Sequence, residues 1–348
     1  MNVNQIVKRL VILVATIMLS VSLSACSPDT QQTSVVDIAM TGSTMGTTYH
    51  IKVMTTEQKA EQQKLHQQID KLLVEVNQHM STYIPSSELS KFNQSNSTAP
   101  IKISAGMHRV VAEALRVGHL TDGALDITLG PVVNLWGFGP THRPEIIPTP
   151  AAIASAREKV GLDKLTLTDT TLQKSVAGLY VDLSSTAKGY GVDRVAELLI
   201  ELGYHNYLVE IGGEMRIQGH KADGQPWRVA IEKPISNERS VQQIIIPHDN
   251  GLATSGDYRI YFEENGHRYS HIIDPKTDEP ITNKLVSVTV VNKSCMTADA
   301  FATSFMVMGT EKALAFAKAH NMAILTVTKT ADGFKQQNTP QFNQYLVH

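Results

Sequence analysis

Residues 182–214 read DLSSTAKGYGVDRVAELLIELGYHNYLVEIGGE. Val192, Val195, Ala196, Leu199 and Leu202 recur at spacings of three and four, which puts an apolar stripe along one face of a helix. Ser184, Ser185 and Thr186 offer cap oxygens at its start, and Gly203 permits the turn that ends it. Tyr207 to Ile211 then reads as a strand. Ile211-Gly212-Gly213-Glu214 suits a strand-end turn better than a close backbone approach to a ligand. Further strands are predicted at Trp227–Glu232, Gln242–Ile246, Gly251–Thr254, Tyr258–Phe262, Ser270–Ile273 and Val286–Val291. Helices follow at Thr297–Met308 and Glu311–His320, with a late strand at Ala323–Val327. Runs of strands followed by runs of helices predict an α+β fold, not a doubly wound sheet. No strand is followed by Gly-x-Gly-x-x-Gly, which argues against a Rossmann dinucleotide site.

Upstream, the pattern predicts a strand over Thr48–Val53, entered from a loop at Thr41–Thr47. Leu65, Ile69, Leu72, Leu73, Val76 and Met80 then give a helix one apolar face. A second helix spans Met107–Leu120 and stops at Thr121-Asp122-Gly123. Pro131–Pro150 is dense in Gly and Pro but carries Trp136 and Phe138, as an ordered loop or pocket wall would. A third helix, Ala151–Val160, precedes strands at Lys164–Thr168 and Leu179–Leu183.

The chain has 348 residues, 42% hydrophobic and 18% charged, with a net charge of −2. That supports a substantial core and argues against nucleic acid as a partner. Lys8 and Arg9 precede an apolar run, Leu10 to Leu19, and Leu23-Ser24-Ala25-Cys26 resembles a bacterial lipobox. Residues 1–25 are therefore expected to be a lipoprotein signal peptide, with cleavage before Cys26 and acylation of its thiol. The polar residues 26–34 are expected to be a tether and 35–348 the folded body. The expected location is the periplasmic side of the cell envelope; the inner membrane is the expected anchor site, although Ser27 leaves the sorting open. Cys295, the other cysteine, has no partner and is expected to be a buried small hydrophobe.

Asp299 and Thr303 stand four apart on one helix face and could converge as oxygen ligands. A hard cation such as Mg²⁺ takes few protein oxygens and keeps places for phosphate and water. An aspartate favourable to the helix dipole explains the same spacing. At Asp182–Gly191, where a strand ends and a helix begins, helix amides attract anions and Lys188 adds a full charge; an ordinary cap with a solvated lysine is the plain alternative. His271 could take a proton from a hydroxyl, and alternation puts Asp274 on the opposite face, so the two form no obvious dyad. Ala253–Tyr258, rich in hydroxyls around Gly256, suits a phosphate-contacting loop or a plain turn.

Taken in order, these motifs resemble the ApbE-type FAD:protein FMN transferases over nearly the whole body. The resemblance rests on Thr44–Thr47, Met80–Tyr83 with Ser90–Asn93, Thr121–Thr128, Leu135–Gly139, Asp182–Asp193, Gly212–Glu214, Thr254–Tyr258, His271–Pro275 and Ala298–Ala300. It implies a two-lobed body of mixed and antiparallel sheets flanked by helices, with the cofactor between the lobes. It places FAD binding on Met45, Tyr83, Ala124, Leu125, Asp126, Asp182, Lys188 and Ile273. It places Mg²⁺ on Asp299, Thr303 and the backbone carbonyl of Ser185. The implied reaction moves FMN from FAD to a Thr or Ser of a partner and releases AMP, with His271 as the expected base. Implied partners are flavin-carrying subunits of membrane redox complexes, such as the sodium-pumping NADH:quinone reductase. Rival readings are an Mg²⁺-dependent FAD pyrophosphatase and a non-catalytic FAD-binding lipoprotein. Many relatives have glycines where Ser184, Ser185 and Asp278 stand.

Overall fold

The computed structural model describes residues 2–3, 35–56, 59–140, 147–234, 240–257, 260–264 and 267–347. Cys26, the expected tether and nearly all of the expected signal peptide lie outside the described residues, as do Tyr258 and part of the Pro131–Pro150 region. Eight strands form one sheet whose spatial order is the order of the chain. They are β1 (Val36–Thr44), β2 (Thr47–Thr55), β3 (Tyr207–Ile211), β4 (Glu214–Gln218), β5 (Gly251–Gly256), β6 (Leu285–Asn292), β7 (Ala323–Thr330) and β8 (Gly333–Asn338). Every neighbouring pair is antiparallel. The helices are excursions from this meander. Helices α1 (Lys59–Met80), α2 (Ala105–Leu120) and α3 (Ser184–Glu201) lie between β2 and β3, while α4 (Cys295–Met308) and α5 (Thr310–Ala319) lie between β6 and β7.

Period-two alternation decides which face meets which layer. Tyr49, Ile51 and Val53 of β2 and Tyr207, Val209 and Ile211 of β3 pack against Leu65, Ile69 and Leu73 of α1 and Val192, Val195 and Leu199 of α3. Further along the same face, Val288 and Val290 of β6 join Phe301 and Phe305 of α4 and Val110 and Val111 of α2. The alternate residues Met54, Ile217, Leu252, Leu325 and Val327 face the other way, onto Trp227, Ile231, Ile245 and Phe342. Helix α4 runs through the interior, with most of its residues from Cys295 to Met306 buried. Its side chains are apolar nearly all round, as a core helix requires. Residues 36–348 make one compact unit, and the α+β expectation holds.

Some local expectations fail for identifiable reasons. Thr41–Thr44 is strand, not loop, because a two-residue turn at Met45 (φ 50°) and Gly46 (φ 72°) suffices to pair β1 with β2. Positive φ at both central residues is the twist-compatible hairpin geometry. Leu179–Leu183 is extended but lies outside any ladder. Asn93 substitutes for a neighbouring strand, accepting from the Val181 N–H at 2.8 Å and donating to the Val181 carbonyl at 2.8 Å. The buried Lys174 ammonium donates to the Leu179 carbonyl at 3.3 Å and the Phe92 carbonyl at 2.9 Å. The strand that pairs with Leu165–Leu167 is instead Thr171–Lys174, which has no strong alternation in sequence. The helix predicted to reach Val160 ends at Arg157.

Candidate active site

Helices α3 and α4 meet almost backbone to backbone. A Cβ on Gly189 would lie 2.5 Å from the Cys295 carbonyl oxygen, so only glycine permits the contact. The crossing is fixed from the other side by Asp193, which is fully buried. Its carboxylate accepts from the backbone N–H groups of Cys295 (3.0 Å) and Met296 (3.1 Å), from the Ser294 hydroxyl (2.7 Å) and from Arg216 (3.0 Å). A carboxylate from α3 thus satisfies the orphan donors of α4 and opposes its positive end. Ser294 is the local cap, accepting from the Thr297 N–H, so α4 begins two residues before the expected Thr297.

This anchorage presents Asp299, one turn into α4, to the first turns of α3. The Gly189 N–H donates to Asp299 Oδ2 at 3.0 Å. In a regular helix that N–H serves the carbonyl four residues back, which here is Ser185. The donor that a regular helix would give the Ser185 carbonyl is thus the one that reaches the Asp299 carboxylate. Thr303 follows Asp299 by one turn on the same face and is half-buried. Burial pushes the Asp299 carboxyl up to about 7, with Lys188 opposing the shift and Glu214 adding to it.

Lys188 donates to Glu214 Oε1 in a tight ion pair. Burial works against the Lys188 charge, yet Glu214 and Asp299 together hold its pKa above the ordinary lysine value. Burial also raises Glu214, against the pull of Lys188. With all three groups ionised the cluster carries one uncompensated negative charge. Buried charge of that kind calls for a counterion. Among the described residues no three His, Cys, Asp or Glu side chains converge. A hard cation here would rest on the Asp299 carboxylate, the Thr303 hydroxyl and the Ser185 carbonyl, leaving places for phosphate oxygens and water. The residues present fit such an ion.

The start of α3 departs from expectation. Its N-cap is Leu183, and no hydroxyl of Ser184, Ser185 or Thr186 caps it. Asp182 does so instead, accepting from the Ser184 N–H at 2.8 Å. Asp182 also lies near two phenols: partial desolvation of the ring and the Asp182 charge raise the pKa of Tyr83, and burial with the same charge raises that of Tyr180 to about 12. Tyr83 is 67% exposed, unusual for a tyrosine and suited to stacking on a planar ring. Met45, at the β1–β2 turn, rests against Gly191 of α3. Ala124, Leu125 and Ile273, expected at the cofactor, are buried. Asp126 is held in its own turn, accepting from the Thr128 N–H (2.8 Å) and hydroxyl (2.5 Å); burial raises its carboxyl.

His271 sits at the edge of an aromatic cluster. Phe138 meets its ring edge-on at 6.4 Å and stands against Phe262, which stacks on Tyr269, and Tyr269 on Trp136. The Trp136–Phe138 segment is tied down by these ring contacts, as the aromatic content of an ordered segment suggested, although Gly130–Leu135 before it is helix and not loop. The Nδ1 of His271 lies 3.0 Å from the Ile260 carbonyl, which can only accept, so Nδ1 carries the proton. Nε2 of the neutral ring is then the basic nitrogen. Asp274 binds the Lys276 N–H in its own turn, consistent with no His–Asp dyad. Thr254 belongs to strand β5, not to a loop, and its hydroxyl pairs with that of Thr289 at 2.8 Å. Cys295 is a buried free thiol, as expected.

Glu214, Asp193 and Asn93 went unassigned in the sequence. Glu214 had a readable signal. It pairs across the Gly212–Gly213 turn with inward-facing Ile211 and must face inward too.

The ApbE family model matches residues 45–326. The FAD:protein FMN transferase of Vibrio cholerae is 51% identical over 324 residues, covering 93% of this chain and 96% of its own length. That of Haemophilus influenzae is 47% identical over 345 residues, covering 97% and 98%. Among solved structures, the flavin transferase ApbE from Vibrio cholerae superposes with a TM-score of 0.84 at 51% identity, covering 90% of this chain and 100% of that one. The apo flavinyl transferase ApbE of Pseudomonas stutzeri gives 0.82 at 38% identity, covering 90% and 97%. With a buried aspartate and a lysine brought together on the crossing of two helices and matches across most of its length, the chain belongs to the ApbE family.

Proposed function

We propose that this chain is an Mg²⁺-dependent FAD:protein FMN transferase. The hydroxyl oxygen of a Thr or Ser in a partner attacks the FMN-side phosphorus of FAD. The P–O bond to the AMP half breaks, and AMP leaves with the bridging oxygen. His271 Nε2 receives the hydroxyl proton, since Nδ1 is already committed to a carbonyl. Lys188 and the first-turn amides of α3 complement the pyrophosphate charge, and Tyr83 offers a face for a flavin or adenine ring. Asp299, Thr303 and the Ser185 carbonyl would hold the Mg²⁺ ion, which would supply electrostatic stabilisation of the phosphate charge. The observation that carries this reading is the meeting of Asp299 with the Lys188–Gly189 turn of α3.

The acceptors are flavin-carrying subunits of membrane redox complexes. Attachment is by acyl chains on Cys26, with the body facing the periplasm from the inner membrane; the lipobox-like Leu23–Cys26 supports this. Incubating the full chain in detergent with FAD, Mg²⁺ and an acceptor peptide should yield AMP and a covalent flavin adduct in equal amounts. Free FMN with AMP and no adduct would indicate a pyrophosphatase, and retained FAD without turnover a binding lipoprotein.

A further inference from the structure

Glu214 heads β4, directly after the Gly212–Gly213 turn, and is almost completely buried. One of its oxygens is spoken for: Oε1 takes the Lys188 ammonium. The other, Oε2, is buried and meets no hydrogen-bond donor among the described residues. A buried carboxylate oxygen left without a donor is costly, so a protein that retains one has a use for it. Its surroundings narrow that use. Lys188 and Gly189 are consecutive; the first binds Glu214, and the N–H of the second binds Asp299. The two carboxylates therefore converge on the same turn of α3, close enough for the charge of Glu214 to act on Asp299. What comes to Oε2 must be a donor, because the acidic oxygen has none to give. A hydrated divalent ion held by few protein oxygens keeps several waters, whose protons are acidified by the metal.

We propose that Glu214 is a positioning residue of the cation site: Oε1 fixes Lys188 toward the pyrophosphate, and Oε2 accepts a hydrogen bond from a water of the ion's hydration shell. Glu214 does not ligate the ion directly. It orients the shell, as outer carboxylates do at metal sites generally. This rests on the transferase reading for the identity of the phosphate ligand, but the cation contact can be tested without turnover.

The probe is Mn²⁺, titrated into the full chain in detergent and followed by its electron paramagnetic resonance signal, with FAD affinity measured alongside by flavin fluorescence. Glu214→Gln keeps the shape and replaces one oxygen with a donor. It should weaken Mn²⁺ binding in the absence of FAD about 10–100-fold, the usual effect of losing an outer-shell partner, and FAD affinity should fall as well because Lys188 loses its anchor. Parental Mn²⁺ affinity in this variant overturns the proposal. A purely structural role would lower thermal stability and leave the Mn²⁺ affinity of the folded fraction parental, which also overturns it. If Lys188, left without its partner, prevents Glu214→Gln from folding, the double variant Lys188→Met/Glu214→Gln removes both charges. The same loss of Mn²⁺ affinity is expected there, and parental affinity is again the contrary result. Should the transferase reading itself be wrong, the parental chain would form no flavin adduct yet still show this dependence of Mn²⁺ binding on Glu214.

Discussion

His271 donates from Nδ1 to the Ile260 carbonyl, and in that tautomer Nε2 carries the lone pair that can accept a proton. Its replacement by asparagine keeps a side chain that can donate to the Ile260 carbonyl but removes the base. Turnover with saturating FAD should fall by about 10²–10⁴-fold, the usual contribution of general base catalysis, while FAD affinity stays parental. An unchanged kcat would remove His271 from that role. Asp299 is tested in another way. Asp299→Ala should abolish metal-dependent AMP release and leave the circular dichroism spectrum intact; release at the parental rate would place the cation elsewhere. Asp278 adopts φ 61°, a conformation that suits glycine and that aspartate tolerates. It is held there by Arg157, which donates to its carboxylate at 2.8 Å, and by the Trp136 indole N–H, which donates to its carbonyl at 2.9 Å. Asp278→Gly should therefore cost no more than about 1 kcal/mol, since the conformation is kept and a half-exposed ion pair is lost. Asp278→Val should cost more in chemical denaturation, because a β-branched residue resists that φ.

At the scale of elements, the site depends on α3 and α4 keeping their crossing, and Asp193 is the residue that holds it. Asp193→Ala leaves Arg216 without its carboxylate and two helix N–H groups without an acceptor. The expected loss is about 3–5 kcal/mol in denaturant unfolding, the range for breaking a buried ion pair; a loss below about 1 kcal/mol would show that water replaces the carboxylate at no cost. The elements themselves differ in how far they could be read beforehand. Helix α3 and strand β3 are written in local periodicity, and the structure gives Ser184–Glu201 and Tyr207–Ile211. The Leu179–Leu183 segment has the composition of a strand, but its ladder is supplied by Asn93, a residue far away in sequence. Likewise Asp182, which accepts from the first N–H of α3 from just before the Leu183 N-cap, is masked by the three hydroxyl residues that follow. The Asp299–Thr303 spacing was legible because both residues share one helix. The Lys188–Glu214 pair was not, because it joins a helix to a strand beyond the next loop.

The whole molecule explains why those long-range pairs exist. A sheet in chain order leaves its helices as insertions that must fold back on one face, so α3 and α4, inserted before β3 and after β6, are brought together only by the finished sheet. Folding thereby assembles a buried cluster with surplus negative charge, and its electrostatic cost should appear in global stability. The sign follows from Asp299. Its folded pKa, about 7, lies above the ordinary aspartate value of 3.8. Below that lower value the carboxyl is protonated in both states and Asp299 makes no pH-dependent demand. As pH rises toward 7 the unfolded chain releases this proton and the folded chain retains it, so the contribution of Asp299 to stability declines across that window and then levels off. Without divalent ions, the unfolding free energy of the Asp299→Asn variant should exceed that of the parent increasingly between pH 4 and about 7. Adding Mg²⁺ should reverse the order near neutral pH, because the ion binds only the parental, ionised carboxylate and stabilises the folded state by mass action. The measurement is a denaturant titration of both proteins over this pH range, with and without Mg²⁺. Parallel curves for the two proteins under all conditions would mean that Asp299 titrates as an ordinary surface carboxylate and carries no cation.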